Sequence, residues 1–377
     1  MQTKHFGLCA ALSAAALLLL AGCAGSGSTA APTLTVESSY PLQYAKQFTV
    51  DECTGGYELI TIADSQYLVV PQGAAVPEDL PQGTTVLRQP IENIYLVSTS
   101  AMDPIISLGA LDSIALSGTK ADGWYLPEAK AAMQAGQIAY AGKYSAPDYE
   151  TILASGCGLA IENTMIYHTP EVKEQLEKFG IPVLVERSSY ETDPLARMEW
   201  VKLYGILLGK KQEAEQLFDT QVQRVAPLEN QQPTGKTVAF FSITSNNLVT
   251  VRKGSDYVAR MIEMAGGSYV FDDLTDSGNN LATINLSLED FYAGARDADV
   301  LIYNSTIEGS IASTEQLVEK CPLLAQFKAV QNGNVWCTAQ SLFQQSMELP
   351  DLILDMNRVF TEGTPADSEL TFLTHVE

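Results

Sequence analysis

Leu176-Glu177-Lys178-Phe179-Gly180-Ile181-Pro182-Val183-Leu184-Val185 ends a helix and starts a strand within four residues. Gly180 sits where a helix is stopped by a left-handed residue, and Ile-Pro followed by a β-branched run is a strand start. The same alternation recurs on both sides. Upstream, residues 93–97 read as a strand buried on both faces, 103–108 as a helix ending near Gly109, and 113–116 as a strand. Residues 128–135 are helical, with Pro127 at the start and Gly136 just past the end. A short helix over 149–154 leads into a strand over 159–161, and residues 170–179 form the helix that Gly180 closes. Strands interleaved with helices predict a parallel, doubly wound lobe.

Downstream the program pauses and then repeats. Residues 194–208 carry apolar side chains at helical spacing (Leu195, Met198, Val201, Tyr204, Leu207, Leu208), Gly209 interrupts, and 212–228 continue as a second helix. A break over 229–235, containing Pro233, precedes a fresh start. There the predicted strands are 238–241, 300–303 and 335–336, and the predicted helices are 257–265, 288–293, 321–330 and 349–360. Ahead of the first lobe lies a β-rich stretch, with strands over 48–51 and 57–62 around a Thr54-Gly55-Gly56 turn and another over 66–71.

The N-terminus reads differently. A basic start at Lys4 and an uncharged run over residues 6–20 have the layout of a secretory signal, too short to span a bilayer. Leu20-Ala21-Gly22-Cys23 resembles a bacterial lipobox, which implies lipidation of Cys23 and a soluble body held at the outer face of a membrane. The alternative is an ordinary secretory signal with a chance cysteine. Residues 24–32 contain only Ala, Gly, Ser, Thr and Pro, a composition that has nothing to bury. The expected plan is a signal peptide over 1–22, a lipid-anchored flexible tether over 23–47, and an N-terminal lobe over 48–210 with its β extension at 48–88. A connecting helix and linker follow over 211–235, then a C-terminal lobe over 236–377.

Composition narrows the function. The chain has 377 residues, is 46% hydrophobic and carries a formal charge of −23, with no basic stripe for nucleic acid. Among histidines, His5 leaves with the leader, so His168 and His375 remain, too few for a directly bound metal ion without carboxylate or thiolate help. No metal site and no cofactor are expected. No CxxC pair exists. Cys321 and Cys337 could close a short disulfide loop, and Cys53 and Cys157 could pair or stay as free buried thiols. A hydrolase would need a nucleophile and base, and no G-x-S-x-G, HExxH or Walker A motif is present, so the chain reads as a non-enzyme.

Several phrases carry a family resemblance. Tyr149-Glu150-Thr151-Ile152-Leu153 before Leu159-Ala160-Ile161, the LEKFGIPVLV stretch, Leu208-Gly209-Lys210 before Glu213-Ala214, VARMIEMAGGSYVF from Val258, and Ala329-Val330-Gln331-Asn332-Gly333-Asn334-Val335 follow one another in order and spacing. Together they resemble the helical-backbone (cluster A) substrate-binding lipoproteins of ABC importers for iron–siderophores, haem and cobalamin. The resemblance implies an α/β fold of two doubly wound lobes joined by a single long connecting helix, periplasmic-binding-protein-like. The N-terminal β-rich extension is longer than it explains. It also implies a monomer that captures a siderophore-type iron chelate between its lobes and delivers it to a membrane permease and its ATPase. Cobalamin ranks as the next ligand and haem after it. An exported hydrolase or a permease-free sensor or adhesion lipoprotein is the rival reading. Glu150 and Glu289, each on a short helix preceding a strand, one per lobe, match glutamates that in the family dock on permease arginines.

Open α/β sheets present binding groups in the loops after strand ends. In the first lobe this selects Ser98, Ser100, Trp124, Tyr125, Tyr144, Asn163, Tyr167, Arg187 and Tyr190. In the second it selects Asn246, Arg252, Tyr257, Asn304 and Phe343. Aromatic faces suit a large conjugated chelate, and Arg187 and Arg252 suit its carboxylate or catecholate oxygens. For each aromatic, core packing is the competing role; Trp124 is the strongest candidate for ligand contact.

Overall fold

The structure is a computed structural model describing residues 33–275 and 281–377; the expected signal peptide, Cys23 and the start of the tether lie outside the described residues. Pro170–Lys178 is helical, and its end is built by the stretch that opened the sequence reading. Gly180 has φ +78°. Its N–H donates to Glu177 O at 2.9 Å, and that of Ile181 donates to Leu176 O at 3.1 Å. That pair of bonds is a Schellman closure, completed by the apolar contact of Ile181 and Leu176 in one core. The chain then enters the strand Val183–Val185.

That strand is the edge of the first lobe's sheet, ordered Val183–Val185, Ala160–Glu162, Ile94–Leu96, Ile114–Ser117, Ala139–Tyr140, all parallel. Its two faces feed separate cores. Leu96, Ile114, Ile161 and Leu184 point to the large core shared with the helix Pro194–Leu207, while Tyr95, Ala160, Val183 and Val185 point to a smaller one under the outer helices.

The second lobe is mixed rather than purely parallel. Thr237–Ile243, Val300–Tyr303, Val335–Thr338 and the short Ser268–Tyr269 run parallel. Val249–Arg252, Thr283–Leu286 and Leu373–His375 are antiparallel additions at the two edges. Between Asn246 and Arg252, both selected as loop residues, the chain makes a hairpin turn and then the strand Val249–Arg252. Asn246 sits in that turn, and Arg252 ends the strand.

Between the lobes, Pro194–Leu207 and Lys211–Val225 form a tight helical hairpin, the second helix continuing the chain toward the second lobe. Gly205 makes the close approach possible: a Cβ there would stand 2.4 Å from Ala214 Cβ and 2.8 Å from Lys210 O.

The extension is a five-stranded sheet in chain order, Val36–Ser39, Phe48–Cys53, Tyr57–Ile62, Ser65–Val70, Thr85–Arg88. It begins twelve residues earlier than expected, inside the stretch assigned to the tether. Residues 43–47 are held by carboxylates of the first lobe. Glu199 accepts the N–H groups of Gln43, Tyr44 and Ala45, and Glu191 accepts those of Lys46 and Gln47. Glu199 is fully buried and also holds Lys202 at 2.7 Å. No local pattern encodes this arrangement, since the acceptors lie some 150 residues away. Phe48 packs edge-on against Trp200 at 4.8 Å, fixing the sheet to the first helix of the hairpin. The disulfides left open by the sequence do not form: Cys53, Cys157, Cys321 and Cys337 are free thiols.

Candidate functional site

The parallel strands of both lobes end at a common seam. After Leu96, the hydroxyls of Ser98 and Ser100 donate to Glu186 Oε2 at 2.9 and 3.1 Å, and the Ser188 N–H donates to Glu186 Oε1 at 2.8 Å. Glu186 follows Val185 directly and is buried, so this carboxylate ties two strand ends together. The buried hydroxyl of Tyr204 lies in the field of Glu186 without a hydrogen-bond partner, and burial raises its pKa.

Loop residues 339–348 of the second lobe close on these first-lobe ends. Ser346 Oγ donates to Ser100 O at 3.1 Å, and the Met347 N–H donates to Asp103 Oδ2 at 2.7 Å. Gln344 brackets the loop around Trp124. Its Nε2 donates to Gly123 O, and its Oε1 accepts the Tyr125 N–H, both at 2.8 Å.

Three guanidiniums stand along the seam, each over an aromatic ring. Arg187 covers Tyr190 at 4.5 Å, Arg197 covers Tyr257 of the other lobe at 4.1 Å, and Arg252 covers Phe343 at 4.7 Å. Arg197 Nη1 also donates to Ser188 O at 3.1 Å, and Arg187 Nη2 reaches Gln47 Oε1 of the N-terminal segment at 3.4 Å. Arg252 has a loose partner in Asp256 at 3.7 Å. Among the described residues, neither Arg187 nor Arg197 has a carboxylate within ion-pair distance, and the Nε of Arg187 is buried without a partner. Burial pushes the Tyr257 hydroxyl up, opposed by the nearby charges of Arg197 and Arg252.

The structure thus gathers Ser98, Ser100, Arg187, Tyr190, Arg252, Tyr257 and Phe343 at one place, but Ser98 and Tyr257 are buried there and engaged with protein. Trp124 is a correction: its ring is buried and its indole N–H donates to Ser117 Oγ at 3.2 Å, which makes it a core residue of the first lobe. Asn304 is buried too, its Oδ1 capping the helix Ser305–Glu308 through Thr306. Asn163 caps the short turn Thr164–His168 in the same way. Tyr144 packs against the smaller first-lobe core. Tyr125, Tyr167 and Asn246 are exposed at the ends of strands or turns.

Sequence reasoning missed Glu186 and Arg197. Arg197 is one of three charged residues, with Glu199 and Lys202, on a helix whose other residues are almost all apolar, a signal that could have singled out all three. Glu162, the last residue of its strand, is also unexpected. It is fully buried, both carboxyl oxygens lack a partner, and burial pushes its carboxyl up to about 8. Its side chain lies near Tyr95 of the smaller core.

Exposed large apolar side chains also collect at this end of the molecule: Tyr125, Tyr140, Met165 and Tyr167 on the first lobe, Leu248 and Ile307 on the second. Among the described residues, no His, Cys, Asp and Glu side chains group as a metal site, and no helix is long and apolar enough to cross a membrane.

The sequence model described as periplasmic binding protein matches residues 96–341. The chain belongs to the periplasmic binding protein family. Its matched span takes in both lobes and leaves out the N-terminal sheet. An uncharacterised lipoprotein of Methanocaldococcus jannaschii is 27% identical over 241 residues, covering 62% of this chain and 55% of that one. This periplasmic binding protein therefore spans about half the length of the curated relatives it matches. A periplasmic haem-binding protein from Pseudomonas aeruginosa superposes with a TM-score of 0.58 at 17% identity, covering 76% of this chain and 99% of that one. A protein of an ABC-type Fe3+-hydroxamate transport system from Saccharomonospora viridis does so with a TM-score of 0.55 at 22% identity, covering 72% and 94%. At such identities the likeness establishes the two-lobed fold.

Proposed function

We propose that this periplasmic binding protein captures an anionic metal chelate of siderophore type at the seam and delivers it to an ABC permease, held at the membrane by a lipid on Cys23. The observation that carries the ligand class is the set of Arg187, Arg197 and Arg252, drawn from both lobes and placed over aromatic rings in a chain of charge −23. Arg187 and Arg197 are half-buried cations without a carboxylate partner among the described residues, and a bound carboxylate or catecholate supplies the missing counter-charge. The rings beneath the guanidiniums hold them in place along the seam. The role is binding, and no step of bond making or breaking is assigned to the protein.

Delivery rests on Glu150 and Glu289. Glu150 lies in the first turn of Tyr149–Ala154 and Glu289 in that of Leu288–Ala295, and both are exposed. Each helix leads into a parallel strand of its own lobe, so the two carboxylates mark equivalent places on the two lobes, suited to paired basic sites on a permease.

A thermal-shift panel tests the ligand class, with ferric catecholate and carboxylate chelates, a cationic ferric hydroxamate, haem and cobalamin as probes. A ligand present at about 100 times its dissociation constant adds about 2.7 kcal/mol to stability. Stabilisation by the anionic chelates, lost in Arg197→Ala, is expected. Stabilisation by cobalamin or the cationic hydroxamate alone would overturn the anionic reading.

A further inference from the structure

We propose that Asp103 and Glu348, facing each other across the two lobes, form a proton-sensitive latch that holds the seam while they share one proton and loosens it when both ionise. Asp103 belongs to the helix Met102–Ser107 of the first lobe; Glu348 immediately precedes the closing helix Leu349–Glu362 of the second. Asp103 is buried and its Oδ2 accepts the Met347 N–H at 2.7 Å, which sets the carboxyl of the next residue, Glu348, beside it with Oε2 buried and unpartnered. Two carboxyls so placed favour a state in which one of them keeps its proton. Burial and mutual repulsion hold the Glu348 carboxyl well above the usual carboxylate range, and burial raises Asp103 as well. The pair titrates as a unit.

The surrounding charges reinforce the effect. Glu128, on the helix Pro127–Gln134, adds negative potential at Asp103, and Asp351 adds it at Glu348. Arg224 of the connecting helix is the nearby cation, and it is held by a bidentate pair with Asp351. The helix Pro194–Leu207, also packed on Met102–Ser107, turns its Glu199–Lys202 pair toward residues 43–45. Asp355, one turn further along the closing helix, is occupied by the N–H groups of residues 371–373.

The latch adjoins the candidate site. Met347, whose N–H binds Asp103, follows Ser346, which binds Ser100, and the Ser100 hydroxyl binds Glu186. This deepens the binding-protein reading and rests on it only for its consequence: alkaline conditions would loosen the seam and weaken ligand capture, and acid would tighten it.

The test needs no ligand, so it stands or falls apart from the ligand class. Amide hydrogen exchange of the full chain is followed by mass spectrometry for peptides spanning residues 98–103 and 344–349, at about pH 6 and about pH 9, corrected for intrinsic exchange. In the native protein, protection of these segments should fall about tenfold at the higher pH, the scale of one lost hydrogen bond. Glu348→Gln supplies a permanent donor and should keep protection constant; Asp103→Asn should do the same from the other side. Constant protection in the native protein, or an undiminished fall in both variants, would overturn the latch.

Discussion

Replacing Glu162 by Met should stabilise this protein, and by an amount that grows with pH. The carboxyl ends a strand in the first lobe, is fully buried, and has no hydrogen-bond partner on either oxygen. Burial alone lifts its pKa from 4.5 to about 8. Between those values the folded chain keeps a proton that the unfolded chain releases, so stability falls by about 1.4 kcal/mol for each step of one pH unit. Below the lower value both states are protonated and the penalty vanishes; above the upper one it is complete, at about 5 kcal/mol. Met has similar length, no charge and no polar hydrogen-bonding group to strand in the smaller core. The variant should therefore exceed the native protein by about 1 kcal/mol near pH 5 and by about 5 kcal/mol above pH 8. Urea unfolding followed by tryptophan fluorescence at those two conditions measures the difference, and comparison with the native protein cancels other titrating groups such as Glu348. A gap that stays constant across the range to within about 1 kcal/mol would refute the reasoning, because it would mean the carboxyl is solvated or paired in the folded state.

Three further outcomes are expected. Glu199→Ala leaves buried Lys202 and the N–H groups of residues 43–45 without their acceptor; it should cost about 3–5 kcal/mol in urea unfolding and speed tryptic cleavage after Lys46. Gly205→Ala would gain about 1 kcal/mol from helix propensity alone, yet its methyl meets Ala214, so a net loss of about 1–3 kcal/mol is expected, and a stabilised variant would show the hairpin to be looser than described. Glu150→Arg combined with Glu289→Arg should abolish cellular uptake while leaving ligand affinity unchanged in the purified protein; normal uptake by the double variant would remove these residues from the docking role.

The lobes were legible because their signals are local. Gly180-Ile181-Pro182 carries the helix stop and strand start in adjacent residues, and the central strands are unbroken apolar runs. The edge strands of the second lobe and of the N-terminal sheet were not legible. Val249–Arg252 alternates buried and half-buried residues over only four positions and borrows its order from two neighbours. Val36–Ser39 is exposed throughout, and the segment after it is fixed by Glu191 and Glu199, acceptors that only the folded chain brings near. At the site, the positions after strand ends were found, but side-chain direction was not. Trp124 and Asn304 lie where a ligand residue would, and the side chain of each turns inward to a partner in its own lobe.

The capture of residues 43–47 by two carboxylates, behind a first strand that begins at Val36, has a mechanical consequence. A lipid on Cys23 would leave twelve residues, 24–35, before the first strand, a leash with a maximum reach of about 40 Å. A leash running to residue 47 would have extended about twice as far. Any pull from the membrane would arrive first at the strand Val36–Ser39 and then at residues 43–47, so it would be borne by the N-terminal sheet and by the two buried carboxylates, and not by the loops that line the seam.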